Sequence, residues 1–285
     1  LNSFILKVIQ KYLTNLTWLK DAFFAASGNS VAAAISIVSL PIITRIYSPD
    51  AVGELGVFVS ALAVMAPITT LMIPLAIPLA KSHSQAKQVS VIAIFLTVST
   101  SLMIALFMLI WGSFQACSGP DSGIALHDYL FPLAIFLTGV HSIFSHWIIR
   151  MKVFYLNAKI SVVQSLLINI NKIGLGLLHP SSLNLLLAHT LGLLSLCVHM
   201  WSAIGKFSFG LRLTRFSRES LIKRFKEFSE FAVFRCPQEL LYNFSQALPI
   251  FLLTWLFSAG LAGQYLIARN ILLMPSMLIG KAFGD

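Results

Sequence analysis

Five polar side chains interrupt stretches of the sequence that are otherwise apolar. They are the cations Lys172, Arg235 and Arg269 and the amides Asn243 and Gln246. A charge at the centre of a membrane helix costs roughly 2.5–3.5 kcal/mol on insertion scales, so each such residue marks a candidate functional site. Cations and amides together can bind an anionic group, and the planar fork of arginine donors suits a phosphate. These five residues are the predicted binding set.

Each member of this set also has a structural explanation. Arg235 lies four residues before Glu239, so an ion pair within one helical turn would account for it equally well. Lys172 and Arg269 have no acid within one turn of their own helices. They either pair across helices or face water and an anion. The two amides could line a polar cavity, or they could only hold neighbouring helices together.

The histidines do not suggest a proton relay. His141 and His146 are five residues apart, which separates them around a helix, and His189 and His199 have no acidic neighbour. We expect all four to be packing or interface residues.

Signatures of catalysis and of metal binding are absent from the sequence. It contains no HExxH, GxSxG or phosphate-binding loop motif, and its 10 acids are scattered. Its 3 cysteines form no CxxC pair, so neither a disulfide framework nor a zinc site is indicated. A membrane transferase would need clustered acids to hold a metal or act as a base. The sequence therefore predicts a protein that is not an enzyme and has no cofactor.

The elements that position the polar residues are predicted to be membrane-spanning helices. Hydrophobic residues make up 57% of the 285 residues and charged residues only 11%, about half of what soluble domains carry. A hydrocarbon core of ~30 Å requires ~20 apolar residues of helix. Eight stretches meet this requirement: 22–43, 54–80, 89–112, 129–149, 160–178, 183–204, 231–257 and 263–282. The predicted fold class is an all-α integral membrane protein.

The net charge of +10 follows the predicted membrane topology. With a cytoplasmic N-terminus, cytoplasmic segments hold 15 of the 20 basic residues, and the opposite loops hold Arg45 alone. This distribution obeys the positive-inside rule and requires no nucleic-acid partner. Residues 1–20 place apolar side chains on one helical face, which predicts an amphipathic helix at the cytoplasmic membrane surface. The basic 205–230 segment is expected to lie along the same surface, against anionic lipid.

Three prolines lie on one face of the second predicted helix. Pro67, Pro74 and Pro78 are spaced seven and four residues apart. Each removes a backbone hydrogen bond and favours a bend. We therefore expect this helix to be bent and to line a cavity.

A weak internal repeat organises the chain. Aligning Gly53 with Gly263, 210 residues later, also aligns Thr44 with Thr254, Ser48 with Ser258 and Leu62 with Leu272. The offset spans an even number of helices, so both copies enter the membrane in the same direction. We predict an amphipathic helix and a first six-helix lobe in 1–204, a basic cytoplasmic linker in 205–230, and the first two helices of a second lobe in 231–285. A complete duplication would need about twelve helices, so the chain is expected to be a fragment or a truncated product.

Two stretches resemble a known family. "LPIITRIYSPDAVGELGVFVSALAVMAPITTLMIPLAIPLAKS" (40–82) resembles the first two helices of the bacterial O-antigen and capsule repeat-unit flippases. "FAVFRCPQELLYNFSQALPIFLLTWLFSAGLAGQYLIARNILLMPSMLIG" (231–280) is similar to their seventh and eighth helices. The family belongs to the multidrug/oligosaccharidyl-lipid/polysaccharide exporter superfamily and has two six-helix lobes.

The resemblance implies a function and a location. Members of this family carry polyprenyl-diphosphate-linked oligosaccharides across the bacterial inner membrane, with a cytoplasmic N-terminus, for lipopolysaccharide and other surface polysaccharides. Arg235 in "FRCPQ" and Arg269 in "ARN" correspond to basic positions of the family's seventh and eighth helices. Lys172 has no family motif around it, so its assignment is our inference from its position alone. The implied partners are this lipid-linked oligosaccharide, membrane lipid and the polysaccharide polymerase and chain-length machinery.

Two alternatives to the flippase remain open. A drug or cation exporter of the same superfamily would need an acid within the membrane, and Glu54 and Glu239 are the nearest candidates, both close to helix ends. A membrane partner of polysaccharide assembly that transports nothing would need no cavity at all. The sequence does not identify the glycan or the energy source.

Overall fold

The structure, a computed structural model, describes residues 28, 30–116, 129–205 and 217–283. These residues are helical apart from short turns, and none of them is in a β-strand. The helices are α1 (Ser30–Ile46), α2 (Pro49–Thr70), α3 (Ala76–Leu79), α4 (His83–Ala116), α5 (Leu130–Met151), α6 (Phe154–Leu178), α7 (Ser182–Gly205), α8 (Arg218–Glu227), α9 (Cys236–Leu256) and α10 (Ala259–Phe283). A 3-10 turn at Ile73–Leu75 precedes α3, and a π-helical turn at Phe231–Arg235 leads into α9.

The predicted all-α membrane fold is confirmed. Five helices are long and apolar enough to cross a membrane, namely α2, α4, α5, α6 and α7, and α1 is a shorter apolar helix. α9 and α10 are 21 and 25 residues long and carry several of the polar residues discussed below. Five of the eight predicted spans therefore contain a helix that meets this criterion. The predicted division at 204 and 230 stays a prediction, and the predicted amphipathic helix in 1–20 lies outside the described residues.

The second predicted span bends, as its prolines indicate. α2 ends at Thr70 because Leu71 and Met72 both adopt positive φ, 48° and 55°, which breaks the helix. The chain then continues through the 3-10 turn and α3. Pro67 lies inside α2 without ending it, so the break follows that proline by a turn.

An arginine from another helix stabilises this break. The Nη1 atom of Arg150, in the last turn of α5, lies 2.8 Å from the carbonyl oxygen of Ile77 and 2.7 Å from that of Ala80. These carbonyls lack helical partners at the end of α3, and a charged donor satisfies them. Arg150 is therefore explained by helix capping.

The part of the basic segment that the structure describes is a helix docked on α4. Leu221 and Phe225 of α8 pack against a buried apolar cluster of α3, α4, α5 and α7. The Arg224 Nε donates to the Gln88 Oε1 at 3.2 Å, and the Gln88 Nε2 donates to the Ser220 Oγ at 2.9 Å. Apolar side chains of the segment are thus used in packing, and its predicted position at the membrane surface stays a prediction. Residues 206–216 lie outside the described ranges.

α2 and α10 are equivalent helices of the repeat, and they cross each other. Both begin with the same cap, since the Ser48 Oγ accepts from the Ala51 N–H and the Ser258 Oγ from the Leu261 N–H, each at 3.3 Å. α2 packs against α4, α5, α7 and α9 as well as α10, so it lies at the centre of the helix packing.

The crossing brings two glycines of the repeat together. A Cβ added to Gly53 would lie 1.8 Å from the Ala259 carbonyl oxygen, and a Cβ added to Gly263 would lie 2.1 Å from the Pro49 carbonyl oxygen. Pro49 and Ala259 are themselves 210 residues apart. Each glycine therefore contacts the residue that the repeat aligns with the other glycine's contact. This exchange is what a local two-fold axis between the helices produces. The repeat inferred from four identities therefore has a structural counterpart.

We expect Gly53→Ala to destabilise the protein, because its new methyl group would force the α2 and α10 backbones apart. Forcing extra atoms into a packed contact costs about 1–3 kcal/mol. Thermal unfolding of the purified protein in detergent measures the effect as a lower melting temperature. Gly174→Ala is the matched control, since a Cβ there would meet no atom within 4 Å. Equal melting temperatures for the two variants would contradict the tight crossing.

Arg150→Met should also lower the melting temperature, because the carbonyls that Arg150 caps would lose their donor. Hydrogen bonds to charged groups contribute about 1.5–3 kcal/mol each. Lys159→Met removes an exposed cation at the start of α6 and should leave the melting temperature unchanged. An Arg150→Met variant as stable as Lys159→Met would show that the break does not depend on this cap.

Candidate functional site

A cavity of about 350 Å³ lies where α1, α2, α6, α7, α9 and α10 meet. Its apolar wall includes Val52, Leu55, Val59, Ala247, Ile250 and Leu266. Its polar wall consists of Ser60, Lys172, His189, Asn243, Gln246, Arg269 and Asn270. The cavity is lined by residues of α2 and α10 next to their crossing. The position of the crossing therefore determines which side chains of the two helices line the cavity.

Four of the five sequence-predicted site residues share this cavity. Lys172 comes from α6, Asn243 and Gln246 from α9, and Arg269 from α10. Asn243 and Gln246 fall on one face because they are three residues apart in a helix. The structure thus brings together residues that lie up to 97 positions apart in the chain.

Arg269 is held in place by Gln246. Its Nη2 donates to the Gln246 Oε1 at 2.6 Å, and its Nη1 donates to the Gln246 backbone carbonyl at 3.1 Å. A guanidinium has five N–H donors, so this arrangement fixes its orientation and leaves donors free. The partner of Arg269 in the described part of the chain is an amide, which leaves its positive charge uncompensated there.

Lys172 presents an unpaired ammonium to the cavity. Among the described residues, no acceptor lies within hydrogen-bonding distance of its Nζ and no carboxylate within ion-pair distance. Its backbone is anchored, because the Tyr47 hydroxyl donates to the Lys172 carbonyl at 2.8 Å. Lys172 lies six residues before the end of α6, about 9 Å along the axis.

His189 packs edge-on against Phe58, as expected of a packing residue, and it also lines the cavity with Lys172. Its Nδ1 is buried and has no hydrogen-bond partner among the described residues. The sequence held a signal for this position. Lys172 lies six residues before the turn between α6 and α7, and His189 lies seven residues after α7 begins, so a helical hairpin brings them to one depth.

Arg235 lies apart from this site. It ends the π-helical turn before α9, and its Nη1 donates to the Gln238 Oε1 at 3.0 Å. The alternative ion pair with Glu239 is not formed. Arg235 is eleven residues before Gln246, about 16 Å along the helix axis, and it does not line the cavity. Its binding role stays a prediction.

The arrangement is suited to binding an anion. The described lining contains two cations and no carboxylate. Within the described ranges no three His, Cys, Asp or Glu residues are grouped as a metal site requires. Unpaired cations in a partly apolar cavity can form charge-assisted hydrogen bonds with phosphate or carboxylate oxygens. Amides beside them add neutral donors and acceptors.

Comparison with known proteins gives one positive finding. A family model described as "Polysaccharide biosynthesis protein" matches residues 18–284 of the chain. No significant match was found among curated proteins, and none among solved structures. The family match spans both copies of the repeat and every residue of the cavity.

Cysteine labelling can test whether the cavity holds water. In a background where Cys117, Cys197 and Cys236 are replaced by alanine, Asn243→Cys should react with a charged methanethiosulfonate reagent about tenfold faster than Leu241→Cys. The reason is that only a hydrated thiol ionises readily to the reactive thiolate. Leu241 is the matched control, since it lies on the opposite face of α9 and is exposed on the outer surface of the bundle. Equal rates would contradict a hydrated cavity.

Proposed function

Because the chain belongs to the polysaccharide biosynthesis protein family, we propose that it flips polyprenyl-diphosphate-linked oligosaccharide repeat units across the bacterial inner membrane. Family membership assigns it to polysaccharide biosynthesis, and its apolar helices make it a multi-pass membrane protein. Our proposal adds four points: the flipping step, the substrate, the use in O-antigen or another surface polysaccharide, and the inner membrane as the location.

The observation that carries this proposal is the pair of uncompensated cations in the cavity. Lys172 stands on the α6 wall and Arg269 on the α10 wall, so an anion between them would contact both repeats. A diphosphate carries several anionic oxygens and can engage an ammonium and a guanidinium together. In the proposal Asn243 and Gln246 complete this site, Gln246 by orienting Arg269.

The cavity addresses the main physical barrier to such transport. A diphosphate and a chain of sugars cannot enter hydrocarbon without large desolvation costs, whereas the apolar polyprenyl tail is stable there. A polar cavity between two groups of helices lets the head group cross in a hydrated site while the tail stays in the lipid. We propose that the two repeats rock about this site to expose it to each side in turn.

The orientation follows from the basic residues. With the N-terminus in the cytoplasm, Ser48 and Ser258 cap the periplasmic ends of α2 and α10. The Gly53–Gly263 crossing then lies at the periplasmic end of the cavity. Arg235 lies toward the cytoplasmic end, where we propose that it meets the diphosphate as the substrate enters.

The two alternatives fit the cavity less well. A cation exporter needs an acid to hold its cation, and the described lining contains none. Neither Glu54 nor Glu239 is part of that lining. A membrane partner that transports nothing would have no use for a cavity with unpaired cations, and the experiment below separates it from a flippase.

The variant Arg269→Glu, placed in the chromosomal gene, should abolish surface glycan. Reversing this charge opposes the diphosphate, and losing even one charge-assisted hydrogen bond of about 1.5–3 kcal/mol lowers binding tenfold or more. Surface polysaccharide and the lipid-linked repeat unit retained in the cell are measured together, with the amount of protein in the membrane. We expect normal membrane insertion and accumulation of the repeat unit.

Lys223→Glu provides the matched control, since it makes the same charge reversal on the exposed face of α8. It should leave surface glycan normal. Normal glycan in Arg269→Glu would remove the role of the cationic cavity. Lost glycan without accumulation of repeat units would instead favour a role in assembly other than transport.

A further inference from the structure

A second cavity, of about 470 Å³, opens from the first along the seam between α1 and α6. The two cavities share Leu40, Ile43, Lys172 and Asn270. A ligand with its anionic part between Lys172 and Arg269 could therefore extend into the second cavity without leaving the protein. Lys172 stands at the junction of the two spaces.

The wall of the second cavity combines apolar side chains with a set of polar ones, and its described residues include one charged side chain. From α6 it takes Ser161, Gln164, Ser165, Ile168, Asn169 and Lys172, a set spaced three and four residues apart that forms one helical stripe. The stripe runs about 16 Å along the α6 axis, away from Lys172 and toward the start of the helix. Among the described residues of the lining, Lys172 is the only charged one.

Part of this polar wall is explained by helix packing. The Ser36 and Ser165 hydroxyls lie 2.9 Å apart, and the Ser165 Oγ donates to the Ala32 carbonyl at 2.7 Å. The Asn169 Nδ2 donates to the Ser165 carbonyl at 2.7 Å. Hydrogen bonds of this kind join α1 to α6 and need no ligand.

The amides of Gln164, Asn169 and Asn270 keep hydrogen-bonding groups that this packing does not use. The side-chain amides of Gln164 and Asn270 make no hydrogen bond with any described residue, and the Asn169 amide donates while its oxygen accepts nothing there. Each free amide offers both donors and acceptors without a charge. Ile37, Leu40 and Ile168 place apolar surface beside them. Neutral donors and acceptors next to apolar patches suit a sugar ring, which has hydroxyl edges and C–H faces.

We infer that the α1–α6 cavity is a subsite for the uncharged sugars nearest the diphosphate, with Gln164 as a residue that contacts them. This inference rests on the proposed function, because it takes the diphosphate to lie between Lys172 and Arg269. The subsite would recognise neutral hydroxyl and acetamido groups. It would select against a charged first sugar, since its wall offers no partner for one beyond Lys172.

Binding to two lipids tests the subsite. The probes are polyprenyl diphosphate and the same lipid bearing one N-acetylhexosamine, titrated against the full chain in lipid nanodiscs. The unmodified protein should bind the sugar-bearing lipid about three- to tenfold more tightly, as expected for one or two net hydrogen bonds. Gln164→Met, which keeps the side-chain length, should lose most of this preference without changing affinity for the bare lipid.

Asn171→Leu is the matched control, since it removes an amide from α6 that lines neither cavity, and it should keep the preference. Equal affinity of the unmodified protein for both lipids, with bare-lipid binding still weakened by Arg269→Gln, would overturn the sugar subsite alone. Failure to bind either lipid would overturn the subsite and the proposed function together. Comparing the two lipids on the unmodified protein tests the subsite even if a variant does not fold.

Discussion

The contact between the α2 and α10 backbones is the constraint on which the site depends. At Gly53 and Gly263 each helix occupies the space that a side chain of the other would need. Helices that approach this closely are fixed in both separation and rotation, because no flexible side chain lies between them to absorb a shift. α9 also packs against α2, so the α9–α10 pair is positioned against the first six membrane helices as a unit. Arg269 and Lys172 line the same cavity as a consequence.

A second constraint is electrostatic. Two unpaired cations inside a helical bundle are unfavourable unless water or an anion solvates them. The structure meets this requirement with a cavity and with the amide of Gln246, which orients the Arg269 guanidinium without cancelling its charge. An acid in place of Gln246 would have paired with Arg269 and reduced its attraction for an anion. The amide therefore orients Arg269 without the added stability of an ion pair.

Much of this architecture could be predicted from the sequence, because hydropathy and helical length are local properties. The five apolar helices long enough to span a membrane, the bend after Pro67 and the shared face of Asn243 and Gln246 all follow from spacing along the chain. Lys172 and Arg269 line one cavity because helices distant in sequence pack together. Residue spacing on a single helix does not determine that packing. The same reason explains His189, whose setting depends on the α6–α7 hairpin. Arg235 differs, because its partner is local: it is Gln238, three residues away, and not Glu239.

The repeat conserves the backbone of the crossing and varies the chemistry of the cavity. The Ser48 and Ser258 caps and the two glycines are the same in both copies, whereas Arg269 stands where the first copy has Val59, and Gln246 where it has Ser36. The two-fold arrangement of the backbones thus surrounds an asymmetric site, with the Arg269 guanidinium on one side and, on the other, a seam whose described polar residues are uncharged apart from Lys172. A symmetric ligand would gain nothing from this difference. A ligand that is anionic at one end and uncharged along the rest matches it, because each part meets the wall that solvates it.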